Sequence, residues 1–270
     1  MLTGGAPGEG SAAIRHSTAA RFQSPKSIRV ALEHANSAGI HACVTIGDQR
    51  IFSAIGKKID SSIPSIYPIV PNIQGFMREA VEHGMIGAGW QRVRRMGLPS
   101  LLGLGFRGAS RAIPILHRDF PTLLLCFIEL ELADFRRYDP QYVFLQPQMT
   151  DLALAMNNPR ILESFLRAAQ NLTSARAGFM TQNFTSLIER CRAWGIEPAA
   201  IIAPWKSTGA SMRPTQTTCE QTATQTNSQV WSDRAGWVES PSPLDREYFN
   251  RTKVAGALRD DDVALGLTNS

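Results

Sequence analysis

Two side chains in this sequence combine a reactive group with a position from which it could act. Asp48 comes just after the apolar run 40–46 and Gly47, so its carboxylate stands past the end of a buried segment. There it is either a general base or an ordinary turn residue. Lys206 directly follows the apolar run 199–205. An amine that burial keeps neutral attacks a carbonyl to form a Schiff base, whereas the Ser207-Thr208-Gly209 that follows suits a solvated loop lysine. Neutral hydrogen-bonding groups end other apolar runs: Asn72, Gln146, Gln148, Thr181 and Asn183. Amides and hydroxyls of this kind suit recognition of a polar ligand better than proton transfer. Thr45, Gly87 and Asp260 hold comparable positions, and Asp151 opens a helix, where a carboxylate is stabilised by the helix dipole.

Other chemistries lack the residues they need. His34, His41 and His83 are not spaced with another histidine or carboxylate as metal ligands are, and no G-x-S-x-G nucleophile turn occurs. Cys43, Cys126, Cys191 and Cys219 form no C-x-x-C pair, so they read as reduced thiols in a reducing, cytoplasmic compartment, and neither a metal nor a cofactor is expected. Gly103-Leu104-Gly105-Phe106-Arg107-Gly108 has the spacing of a phosphate-binding glycine loop without a clear strand before it or a capped helix after it.

The elements that must position these groups follow from hydrophobic patterning. Residues 1–23 read as a flexible lead-in. Ser24 caps a helix with Pro25 at its first position, and the helix ends at Gly39. Short apolar runs at 40–46, 65–72, 85–88, 142–147, 177–181, 199–205, 254–258 and 263–267 read as strands, with Pro68 an awkward residue for a central one. Helical spacing covers 73–83, 90–96, 120–138, 151–156, 161–172 and 184–194, and the 120–138 helix carries Glu129, Glu131, Asp134, Arg136 and Arg137 on its polar side. Alternation of strand and helix predicts parallel strands joined by helical crossovers. Seven of these eight runs are counted as usable strands, and the missing strand should precede the Ser24 helix, where the chain is a poor strand former. Residues 216–250 are polar and irregular, with Trp231 and Trp237 among polar neighbours, and read as a remodelled crossover within a single domain spanning 24–270.

The 270 residues are 43% hydrophobic and 19% charged, which suits one sizeable core. The net charge of +5 is modest, and the arginines at 92, 94, 95, 107, 111 and 118 are not interleaved with aromatics, so nucleic acid is not an expected partner. No apolar run has the length of a membrane helix, so a membrane is not expected either.

The segments IYPIVPN, YVFLQPQMTDLALA, GFMTQN, IIAPW with SMRP, and the terminal VAGAL and VALGLTN resemble the aldolase-type (β/α)8 barrel superfamily, over about residues 24–215 and again at the end. The resemblance is architectural. It implies an α/β fold of (β/α)8 type, here incomplete, with a working face at the C-terminal ends of the strands. Gly266, Thr268 and Asn269 then fall where such barrels bind phosphate. It also implies a lyase or isomerase acting on a small polar carbonyl or phosphorylated metabolite, with Asp48 or Lys206 reactive. The alternative is a non-catalytic relative that keeps the scaffold and binds a small ligand or a protein partner.

Overall fold

Helix α1 (Pro25–Ser37) starts where the sequence places it. The Ser24 hydroxyl accepts the Ser27 N–H at 3.1 Å, and Ile28 and Leu32 face inward one turn apart. The computed structural model describes residues 24–37, 39–56, 59–73, 75, 81–82, 120–206, 208–209, 211–233 and 248, with the backbone of 256–261 and 264–268. In chain order there follow β1 (Ala42–Ile46), α2 (Gln49–Ile55), β2 (Ser65–Val70), α3 (Phe120–Phe135), β3 (Tyr142–Leu145), α4 (Pro147–Ala155), α5 (Pro159–Thr173), β4 (Arg176–Met180), α6 (Phe184–Trp194), β5 (Ala200–Pro204), α7 (Gln216–Ala223), β6 (Gln229–Asp233), β7 (Gly256–Asp261) and β8 (Ala264–Thr268). The expected strand at 85–88, the helix at 90–96, Gly87, the arginine cluster and the glycine loop 103–108 lie outside the described residues, as do the lead-in and Trp237.

Strands β1 to β6 pair in sequence order, every pair parallel, and curl into a half-barrel. Pro68 is accommodated because the β2–β3 ladder begins only after it, at Ile69↔Phe144 and Val70↔Leu145. The backbone of β7 continues parallel to β6, but β8 runs antiparallel to both β7 and β1. The strand order is therefore a ring, although not eight parallel strands with eight crossovers. This corrects the reading of 263–267 as one more parallel strand. β7 ends at Asp261 and β8 begins at Ala264, a hairpin-length connection with no room for a crossover helix.

Strand alternation sorts the core into two layers. On the concave face Ala42, Val44, Ile69, Met180, Ala200 and Ile202 pack with the rings of Tyr67, Tyr142, Phe144 and Trp231. Trp231 lies 4.9 Å from Tyr142 and 5.2 Å from Phe144, centroid to centroid. Gly178 makes room for this packing: a Cβ there would fall 2.5 Å from both the Ala200 carbonyl oxygen and the Phe144 ring. On the convex face Val70, Val143, Leu145, Phe179, Ile201 and Ala203 meet the helices through Leu132, Leu162, Phe165 and Leu187. Cys43 and Ile66 join α1 and α2 in a smaller cluster around Phe135.

Residues 216–233 are regular, which corrects the expectation of an irregular crossover across that part of 216–250. Thr215 caps α7 through the Thr218 N–H at 3.2 Å, and β6 follows with Trp231 only 5% exposed. The strand hides in the sequence because two of its four last residues are polar. Ser232 points outward and donates to the Trp205 carbonyl at 2.7 Å, while Asp233 points inward. Helix α3 also departs from expectation. Glu129 and Glu131 sit on a buried side rather than in solvent, and Glu131 accepts the Asn72 backbone N–H at 2.6 Å.

Candidate functional site at the strand tips

The aromatic layer fills the concave face toward the N-terminal ends of the strands. There Tyr67 donates to Gln141 and Tyr142 to Gln229, both at 3.0 Å, and Arg176 lies over the Tyr142 ring. Open polar chemistry is left to the C-terminal tips, which alternation divides in two.

Inward-facing positions continue the series 142-144, 178-180, 200-202-204 and 231-233. They carry Gln146 after β3, Gln182 after β4, Lys206 after β5 and Asp233 at the end of β6. These are four consecutive strands of the sheet, spaced about 4.8 Å apart, so the four side chains form one arc. Asp233 is 9% exposed, and the Gln182 side-chain amide reaches its Oδ2 at 3.5 Å across β5. Gln146 and Lys206 are half-buried. Among the sequence-predicted residues, Gln146 and Lys206 thus follow strands on either side of β4.

The others are placed differently. Thr181 and Asn183 have the opposite parity. Thr181 is buried on the convex side, where its hydroxyl donates to Asp151 Oδ1 at 2.5 Å and accepts the Asn183 N–H at 2.9 Å. Gln148 is exposed on α4. Asn72 holds three structural bonds: its N–H to Glu131, its Nδ2 to the Gly47 carbonyl at 2.6 Å, and its Oδ1 to the Gly75 N–H at 2.8 Å. Asp48 caps α2 by accepting the Arg50 N–H at 2.7 Å, and both its oxygens bind the Arg50 guanidinium at 3.0 Å. That pairing holds the Arg50 guanidinium above its ordinary pKa, through hydrogen bonding first and charge second. Asp151 is not at a helix start, because α4 begins four residues earlier at Pro147.

Gln182 and Asp233 escaped the sequence reading. One slip of register exchanges the faces of a strand, so choosing Thr181 and Asn183 meant passing over the inward residue between them. Asp233 lies in a strand whose polar residues make the sequence look irregular. Alternation counted from Trp231 would have found it.

Nucleophilic thiols do not contribute to the arc. Desolvation pushes Cys43 and Cys191 up to about 12, which keeps both protonated. Among the described residues no group of three His, Cys, Asp or Glu could hold a metal ion, and no helix is long and apolar enough to cross a membrane. At the opposite end of the sheet a cleft of about 290 Å³ lies between the α6–β5 and α7–β6 loops. Its rim groups are paired with one another: Arg192 with Gln225 at 3.3 Å and Asn227 with Glu197 at 3.1 Å.

No family model matches the chain, and no curated protein or solved structure matches it.

Proposed function

We propose that the protein binds a small polar carbonyl metabolite against the arc Gln146–Gln182–Lys206–Asp233 and acts on it as an isomerase or lyase. The scaffold is then a relative of aldolase-type barrels in which an antiparallel strand completes the ring. The observation that carries the reading is the Asp233 carboxylate, nearly buried on the concave face at a strand tip, with an amide at 3.5 Å and the Lys206 strand between them. A partly desolvated carboxylate with a lysine following the neighbouring strand suits removal of a proton from the carbon next to a carbonyl. The proton passes to Asp233, and the charge that develops on the carbonyl oxygen is stabilised by the Lys206 ammonium. Transfer of the substrate's hydroxyl proton to that oxygen, with return of the carbon-bound proton from Asp233 to the adjacent carbon, completes an isomerisation, while Gln146 and Gln182 orient the substrate oxygens. Asp233 takes the base role expected of Asp48 because Arg50 engages both Asp48 oxygens.

A thermal-shift screen against small hydroxyketones, hydroxyaldehydes and sugar phosphates tests this. Ligands that raise the melting temperature should lose their effect in Asp233→Asn and Lys206→Met and keep it in Gln148→Ala, whose side chain lies outside the arc. Hits insensitive to both arc substitutions would refute the assignment. The scarcity of acids and bases at the other tips favours a second reading, a non-catalytic binding protein. Arc-dependent binding without exchange of the ligand's α-proton for deuterium would select it.

A further inference from the structure

We infer that Asp151 is a positioning residue of this site, acting through the β4–α6 turn to aim Gln182 at Asp233. The inference rests on the arc proposed above and adds a residue that touches neither Asp233 nor a bound ligand. Asp151 projects from α4, the helix after β3, yet both its oxygens serve the next strand. Oδ1 accepts the Thr181 hydroxyl at 2.5 Å, and Oδ2 accepts the Gln182 backbone N–H at 3.2 Å. The same hydroxyl accepts the Asn183 N–H at 2.9 Å, and the Thr181 N–H bonds the Ile202 carbonyl at 3.0 Å. The backbone is thus held immediately before, at and after Gln182, from one face by the sheet and from the other by a carboxylate.

Only the Gln182 side chain is left to move. Its bond to Asp233 is at the outer limit of hydrogen bonding, so little free energy holds it there and a ligand can recruit the amide. Where a contact is that weak, the turn that aims it decides whether it forms at all. A reacting group held by supporting hydrogen bonds stays within the narrow range of useful geometry, and one left to a free turn does not. Thr181 is 1% exposed, so removing its hydroxyl leaves the packing volume nearly unchanged and isolates the hydrogen bonds.

The test uses the ligand-free full chain labelled with ¹⁵N. The side-chain amide resonances of Gln182 are assigned by their disappearance in Gln182→Leu. In the native background Asp233→Asn should shift them. In Asp151→Ala and in Thr181→Val that response should be lost while the core resonances persist, and Thr181→Ser, which keeps the hydroxyl, should restore it. A response undiminished in either variant overturns the inference, and Thr181→Val still decides it if Asp151→Ala fails to fold. Because no ligand is present, a barren metabolite screen alongside this loss in the variants and its rescue by Thr181→Ser would sink the proposed reaction and leave this role of Asp151 standing.

Discussion

Replacing Trp231 with alanine tests the concave layer directly. A buried tryptophan removes roughly 150–250 Å² from water, worth about 4–6 kcal/mol at about 25 cal/mol/Å². Residual burial in the unfolded chain lowers this by roughly 10–40%, to about 2–5 kcal/mol, which overlaps the range of about 3–5 kcal/mol typical of large aromatic truncations. Trp231 is 5% exposed and touches Tyr67, Tyr142 and Phe144, so little can move in to refill its volume. Trp231→Phe keeps one ring and should cost about 1–2 kcal/mol. Urea unfolding followed by far-ultraviolet circular dichroism reads both, since fluorescence changes with the residue itself. The midpoint should fall with an unchanged slope. A cost below about 1 kcal/mol for Trp231→Ala would place the indole in solvent. The parity that puts Asp233 on the concave face would fail with it.

Three further outcomes follow from local geometry. Gly178→Ala should destabilise by about 1–3 kcal/mol in the same assay, because its Cβ would meet both a backbone carbonyl and the Phe144 ring at 2.5 Å. The exposed Asp60 carboxyl is held down to about 2, from an ordinary 3.8, by the Ser62 hydroxyl first and Arg29 next. Its folded-state pKa is depressed, so its contribution is complete above pH 4 and lost as pH falls toward 2. Acid titration of the melting temperature should therefore be flatter in that window for Asp60→Asn. Iodoacetamide at pH 8 should label half-buried Cys126 first and reach Cys43, Cys191 and Cys219 only on unfolding; labelling of Cys43 at the Cys126 rate would contradict the burial.

The sequence was legible where one signal dominated. Ser24-Pro25 and Gly39 bracket α1, and the apolar runs at β1, β3, β4 and β5 need only their length and composition. It was illegible where two demands share one element. In β6 a buried serine bonded to a carbonyl and an inward carboxylate break up the apolar run, so the strand looks like loop. In α3 the glutamates look like a solvent face because periodicity does not report that Glu131 is needed by the Asn72 N–H. Helix α2 spans seven residues and offers too few turns for a period to emerge. The site was half legible for the same reason. Gln146 and Lys206 ended runs that were read correctly, whereas Gln182 required the parity of β4 and Asp233 required β6 to be seen at all.

The antiparallel β8 also limits where chemistry can lie. An edge on β1 would leave unpaired backbone groups, and β8 covers it through Ala42↔Leu267, Cys43↔Gly266 and Val44↔Leu265. That register carries Thr268 past the N-terminal end of β1, toward the floor of the ring and away from the tips. A phosphate site built on Gly266 and Thr268 is therefore on the wrong end, because the barrel rule applies to strands that run with the others. The tips of β1 and β2 are committed elsewhere: Asp48 to Arg50 and α2, Asn72 to Glu131, Gly47 and Gly75. The proposed site accordingly lies along the half of the ring from β3 to β6, where Gln146, Gln182, Lys206 and Asp233 are the inward positions at the tips.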